Sequence, residues 1–362
     1  MNISSKEAEN VTFEIQSVCS RLLGSKVTHI DRIGGGRNSR VYKLTCGNSN
    51  LYAAKLYFRH GSDRRNRLET EFASCQFLWK NGVKNIPQPL KADEEYGCAV
   101  YEYIAGKKIT PQNATNIEID SAVNFLVKLK ELKIRESSQH LPLASEAFFS
   151  VQAIVQNIEQ RLSRLSGLPN AEAPYIALDK FLIEEFVPAF RKITNWCQAN
   201  LDRAQMCYIA EIEYEDKTLS PSDFGFHNAL QRDSGEIIFL DFEYFGWDDP
   251  AKMISDFLLH PALELRENLK QRFFDQILRG FQDYRHLAER VEIVYPLFGL
   301  KWCLILLNEF VPQDLLRRGF AQTSDLDRSK LQIEQLAKAK RMLQKILADY
   351  EQFPYGSRNV KN

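Results

Sequence analysis

The apolar positions change their period part-way along the chain. Up to about Gly106 they fall in short runs of strand character: Val27–Ile33, Arg40–Cys46, Leu51–Phe58 and Cys98–Ile104. The stretches G-G-G-R-N and C-G-N-S-N between the first three suit hairpins. One helical period interrupts them, from roughly Arg64 to Asn81, with Leu68, Phe72, Cys75 and Leu78–Trp79 as its apolar stripe and Asn81-Gly82 as its stop. From Ile117 to about Leu201 the period is helical. A short β-rich island follows, Leu219 to Phe245, turning at Asp233-Ser234-Gly235, and after Pro250 the pattern is helical again to about Tyr350. The pattern predicts an α+β chain of two lobes. Residues 1–105 would form an N-lobe, a small antiparallel sheet with one helix; residues 106–362 would form a larger, mainly helical C-lobe.

Composition narrows the function. The 362 residues are 44% hydrophobic and 26% charged, as in an ordinary globular protein. Lys+Arg and Asp+Glu are both 47, so there is no basic excess of the kind that supplies affinity for nucleic acid. The seven cysteines are scattered, without a C-x-x-C pair or zinc spacing, and read as reduced, mostly buried thiols. The first residues carry charges where a secretion signal needs an apolar run. The run Ile293 to Val311 is broken by Lys301, Asn308 and Glu309, and reads as a buried helix, too short and too polar for a bilayer span. The expectation is a cytoplasmic protein without nucleic-acid or membrane partners.

Four elements carry chemistry. The first is I-G-G-G-R-N-S-R-V-Y, Ile33 to Tyr42, between two strands. Gly34, Gly36 and Val41 fit G-x-G-x-x-G-x-V, with Gly35 between the glycines and Ser39 where the third would stand. Such glycines let backbone N–H groups approach phosphate oxygens, although a tight hairpin accounts for them equally well. The second is L-Y-A-A-K-L-Y, which sets Lys55 on one strand face with Leu51, Ala53 and Tyr57. A buried lysine needs a partner, and Glu71 on the following helix is the natural one, with Glu69 as competitor. An edge-strand lysine reaching solvent is the alternative. The third is L-S-P-S-D-F-G-F-H-N-A-L, in which Asp223 and Asn228 have D-x-x-x-x-N spacing. A carboxylate there can orient a hydroxyl and accept its proton, and an amide oxygen can ligate a cation; a polar turn is the plainer reading. The fourth is E-I-I-F-L-D-F-E, an apolar strand ending in Asp241, suited to a metal ligand or to a turn cap.

In this order the four elements resemble the aminoglycoside phosphotransferase and choline kinase superfamily, from about Ile30 to Pro261. The stretch F-L-D-F-E-Y-F-G-W-D-D-P looks like that superfamily's metal-binding segment. The resemblance implies a protein-kinase-like fold and transfer of the γ-phosphate of ATP, or GTP in its place, to a hydroxyl of a small molecule such as a sugar, amino sugar or amino alcohol. It implies Asp223 as base, Asn228 and Asp241 as Mg2+ ligands, and Lys55 with Glu71 as the phosphate-positioning pair. Tyr101 to Ile104, with Glu102, Tyr103 and Ile104 at its centre, would be the hinge that holds adenine through its backbone.

Several positions depart from the family pattern. Pro221 stands where the family has a His that braces the catalytic loop, and Met253 where it often has an Asp, a role Asp256 is near enough to fill. The Pro221 and Ser39 departures motivate an alternative reading, a weakly active or dead kinase acting as a nucleotide-binding regulatory module. A protein kinase is disfavoured by Gly225, where those enzymes carry lysine, and by the short interval from Asp241 to Asp249-Pro250. His227 reads as a packing or solvent-facing residue. Glu211, Glu213, Glu215 and Asp216 read as a solvated acidic loop, and Trp247 as core.

Overall fold

The computed structural model describes residues 5–34, 38–47, 49–59, 66–168, 172–311 and 328–356. It opens with a helix not among those predicted, α1 (Ser5–Leu23), which buries Ile15 and Cys19 against Val27, Leu44 and Val100. Strands β1 (Val27–Gly34), β2 (Ser39–Cys46) and β3 (Leu51–Tyr57) follow as an antiparallel meander. Helix α2 (Arg67–Lys80) then crosses to β4 (Pro89–Asp93) and β5 (Cys98–Glu102), giving a five-stranded sheet in the order β1-β2-β3-β5-β4. β4 opens on a proline and is only partly buried, so it lacks the apolar run that marks the other strands. The predicted helix begins at Arg67 rather than near Arg64 because Asn66 caps it, its side chain accepting the Glu69 N–H. Arg64 and Arg65 lie outside the described residues.

The remainder is mainly helical. After the two-residue β6 (Lys107–Lys108) come α3 (Asn116–Leu132), closed by a Thr115–Glu118 capping box, and α4 (Val151–Leu165), capped by Ser150. Helices α5 (Ala173–Phe181) and α6 (Val187–Arg203) are joined by a single π-helical stretch, Leu182–Phe186. The β-rich island resolves into β7 (Thr218–Ser220), β8 (Ala229–Gln231), β9 (Ile237–Phe239) and β10 (Gly246–Asp248). β8 pairs with β9 and β6, and β7 pairs with β10. The turn between β8 and β9 uses Gly235 at φ +87°, a left-handed conformation that suits glycine.

Helix α7 (Pro250–Leu259) starts as its D-P sequence predicts, with the Asp249 carboxylate accepting the Ala251 N–H and Pro250 in the first turn. Helices α8 (Glu267–Gly280), α9 (Leu287–Leu306) and α10 (Arg328–Asp349) complete the lobe. The segment Leu287–Phe310 is long and apolar enough to cross a membrane by length and composition, because the helix begins earlier than the run first read from the sequence. It is 78% buried inside the fold, which is why it is apolar all round. One core runs through the helical lobe and under α2, and a smaller one lies between the sheet and α1. The architecture is the α+β, two-lobed one that the resemblance implies.

Candidate active site

The loop from β7 to β8 is held in a strained shape. Ser222 has φ +66°, which is uncommon for a residue other than glycine. Its hydroxyl donates to the Ser145 carbonyl at 2.9 Å and accepts from the Lys252 ammonium at 3.1 Å, fixing the turn that presents Asp223. Two imidazoles then converge on that carboxylate. His227 Nε2 and His260 Nε2 each lie 3.1 Å from Asp223 Oδ1, and their rings stack 4.1 Å apart. His260 Nδ1 accepts the backbone N–H of Ala262, which places its proton on Nε2, facing Asp223. Burial lowers the His260 pKa and keeps the ring neutral. Burial alone would raise the Asp223 carboxyl, but hydrogen bonds from His227 and His260 outweigh it and hold the group well below the usual carboxylate range.

These contacts correct the reading of His227, which is bonded to the candidate base, and the bracing that a histidine at position 221 would supply comes from His227 and His260. Gly225 has a second role here. A Cβ on it would lie 2.5 Å from Leu263 Cδ1 and 2.9 Å from His227 Nδ1, so the loop packs against the imidazole only with glycine at that position.

Lys55 lies at the other end of the site. Its ammonium donates to Glu71 Oε2 and to Asp241 Oδ1, each at 2.6 Å, and is 3.9 Å from Glu243 Oε2. The competitor Glu69 instead bonds Asn66 at the helix start. Burial opposes the Lys55 charge, yet Asp241, Glu71 and Glu243 together hold its pKa well above the ordinary value. Glu71 is raised by its burial, and Glu243 is pushed up to about 7 by burial and by the nearby Asp241 charge. One ammonium thus faces three carboxylates. Asn38, at the end of the glycine-rich stretch, donates to Glu243 Oε1 at 2.7 Å and so ties that stretch to the segment after β9.

Asn228 and Asp241 are neighbours because the Leu240 N–H donates to the Asn228 carbonyl at 2.8 Å. Asn228 spends its side-chain N–H on the Asp223 carbonyl, leaving the amide oxygen without a partner among the described residues. Asp241 adopts φ +67°, as short polar residues tolerate. Glu71, Asp241 and Glu243 each present an oxygen within 4.8 Å of the others, and Glu243 Oε2 is buried without a hydrogen bond among the described residues. The buried Arg67 guanidinium lies 3.7 Å from Glu243 Oε1 and offsets part of this charge, and the oxygens left over fit a hard divalent cation such as Mg2+.

Asp223, Asn228, Asp241 and Ser39 all line one cavity of about 580 Å3. Gly34 ends β1 outside its lining, and Gly35 and Gly36 lie outside the described residues. The hinge residues are also apart from it. Glu102 is bonded to Arg232 and to the Gln88 N–H, Tyr103 lies under the Lys43 ammonium, and Ile104 is buried. Asp256 does line the cavity, but its carboxylate receives Lys252, Lys301 and the Trp302 indole N–H. Trp247 is buried with its N–H on the Ser138 carbonyl, and Glu211, Glu213 and Glu215 are exposed.

A family model described as the phosphotransferase enzyme family matches residues 29–290, and the chain belongs to that family. Its fold is the one shared by solved aminoglycoside phosphotransferases and choline and ethanolamine kinases. Among solved structures it is similar to a spectinomycin phosphotransferase in complex with ADP and spectinomycin, at 14% identity and TM-score 0.64, covering 92% of this chain and 97% of that one. It is similar also to a choline kinase from Streptococcus pneumoniae, at 15% identity and TM-score 0.58, over 93% and 99% of the two chains. An ethanolamine kinase from Plasmodium vivax gives 14% identity and TM-score 0.56, over 86% and 81%. No curated protein matches the sequence.

Proposed function

We propose that the protein is a small-molecule kinase that transfers the γ-phosphate of ATP to an acceptor hydroxyl, with Asp223 as the base. The observation that carries this reading is a single cavity lined by Asp223, Asn228 and Asp241, with Asp241 bonded to the Lys55–Glu71 pair. Lys55 is placed to meet phosphate oxygens, and its three carboxylate neighbours keep it charged. Asn228 and Asp241 would hold Mg2+, which when bound neutralises phosphate charge. Asp223 orients the acceptor hydroxyl and takes its proton as the oxygen attacks. The acceptor O–Pγ bond forms, the bond from Pγ to the β–γ bridging oxygen breaks, and ADP leaves with that electron pair.

His227 and His260 keep Asp223 ionised and aimed, so the loop needs no histidine at position 221. Positioning and charge complementarity supply most of the rate, because the transferred group passes through a loose transition state. Tyr101 to Ile104 would supply the backbone hinge for the base, at the junction of the lobes near residue 105. The test is ADP release from Mg·ATP in the presence of candidate alcohols, beside Asp223→Asn. Acceptor-stimulated release that the substitution removes supports the reading. Nucleotide binding with no turnover by the wild-type chain would favour a regulatory, inactive module instead.

A further inference from the structure

Helix α7 carries one charge that the transfer chemistry does not use. Lys252 stands in its first turn, with a side chain only 1% exposed. Its ammonium has three N–H groups and meets three acceptors: Asp248 Oδ2 at 2.8 Å, the Ser222 hydroxyl at 3.1 Å and Asp256 Oδ2 at 3.2 Å. Burial opposes the charge, but Asp248 and Asp256 outweigh it and keep the lysine protonated. Both carboxylates are anchored in turn. Asp248 belongs to β10, where it pairs with Thr218 of β7, and Asp256 also receives the Lys301 ammonium at 3.1 Å and the Trp302 indole N–H at 2.9 Å. Ion pairing within α7 needs only these two carboxylates. The third N–H goes to the residue before the candidate base.

From this arrangement we infer that Lys252 is a positioning residue: it holds the Ser222 hydroxyl, and through it the left-handed turn that aims Asp223 at the acceptor. The inference deepens the kinase reading and rests on it for the role of Asp223 as base. Ser222 stands at φ +66°, a conformation that a residue other than glycine adopts at a cost and keeps only when its surroundings hold it there. Its hydroxyl makes two tethers. The single O–H proton is spent on the Ser145 carbonyl at 2.9 Å, so the oxygen's lone pair is left to take a donor, and Lys252 is that donor. A lysine suits the place because its ammonium is a compact charge with three separate donors, enough for two carboxylates and one hydroxyl. Lys252 borders the cavity beside Asp223, yet its near-complete burial keeps it off the acceptor, so it acts through Ser222. Helix α7 thus grips the loop at two points, by Lys252 on Ser222 and, at its C-terminal end, by His260 on Asp223.

The test is a cycle of Ser222→Ala, which leaves the buried ion pairs whole, Lys252→Gln, and the two combined. Each single substitution is expected to lower kcat about tenfold, the value of one charge-assisted hydrogen bond, while the ATP KM changes by less than about twofold. The double variant should lose no more than the larger single loss, because both act through one contact. Should Lys252→Gln fail to fold, Lys252→Gln with Asp248→Asn, which removes one charge of each sign, takes its place. Ser222→Gly accepts the left-handed turn without strain but lacks the hydroxyl, and should not recover the rate. A second readout needs no turnover: the ring nitrogen signals of His227 and His260 in NMR report their hydrogen bonds to Asp223. The Lys252 variant should shift them toward their positions in Asp223→Asn. An unchanged kcat in the Lys252 variant or in Ser222→Ala, full recovery in Ser222→Gly, or losses that multiply in the double variant would overturn the inference. A wild-type chain that turns over no alcohol with Mg·ATP would defeat the kinase reading instead, and the imidazole signals would then decide alone: shifted, Lys252 holds Asp223 in place; unshifted, it does not.

Discussion

Two aspartates line one cavity and are held by opposite means. Asp241 is bonded to an ammonium that two other buried carboxylates share, so its end carries more negative charge than Lys55 can match. Asp223 is held by two imidazoles, one of them neutral by its hydrogen bonding and burial. The difference teaches what each is suited to do. A cluster with surplus charge recruits cations, whereas a carboxylate held by hydrogen bonds from imidazoles stays ionised with no lysine or arginine paired to it.

The largest effect that sharpens this contrast is expected at the Asp241 end. Asp241→Asn should remove turnover and also abolish the extra thermal stabilisation that Mg2+ adds to ATP, because it removes the negative charge that, beside the neutral Asn228 amide, would hold the cation. Equal Mg2+-dependent shifts in wild type and variant would show that the cation is held elsewhere. At the other end Asp223→Asn should lower kcat by about 10²–10⁴-fold, the usual worth of a general base, with the ATP KM nearly unchanged. A large rise in the ATP KM would mean that Asp223 acts in nucleotide binding rather than in proton transfer.

The Asp241 end was far more legible in the sequence than the Asp223 end, for a physical reason. Lys55 lies in a short apolar strand and Asp241 just after another, where a charge is conspicuous, and Glu71 follows from helix spacing. The strands and α2 are legible in the same way, from alternation and a cap. His260 lies at the end of α7 and reaches Asp223 only because that helix folds back over the loop, so no local pattern marks it. His227 was visible but ambiguous: its role depends on Gly225 leaving room for the ring. α1 was missed although Ile15, Val18, Cys19 and Leu22 recur at helical spacing, and β4 because it opens on a proline and is only partly buried.

A smaller effect separates the two imidazoles' role from mere packing. His260→Ala removes one of two donors to Asp223, so kcat should fall about tenfold, with His260→Gln recovering part of it through its side-chain N–H. The pH profile supplies the sign. An acid whose folded pKa lies below its unfolded value is ionised at neutral pH, and its contribution to stability is full above the unfolded pKa of about 3.9. That contribution is lost as pH falls through the lower, folded value. In the wild-type chain Asp223 should therefore set no acid limb in kcat/KM above about pH 4. Without the His260 donor the carboxyl returns toward its ordinary range, and an acid limb should move up into view. An unshifted limb with the same loss of kcat would assign His260 to packing alone.

The smallest effect tests the Lys55 end through a residue that only looks equivalent to its partner. Glu69 and Glu71 lie on the same helix, but Glu71 bonds Lys55 and Tyr57 in the buried site while Glu69 bonds Asn66 at the exposed first turn. Glu71→Gln leaves an ammonium with one fewer charge partner and should raise the ATP KM several-fold. Glu69→Gln should alter the ATP KM by less than about twofold and cost at most about 1 kcal/mol of stability, the scale of an exposed helix-terminal charge. Equal kinetic losses in both variants would mean that the helix charge as a whole, and not the specific Lys55–Glu71 contact, orients this end of the cavity.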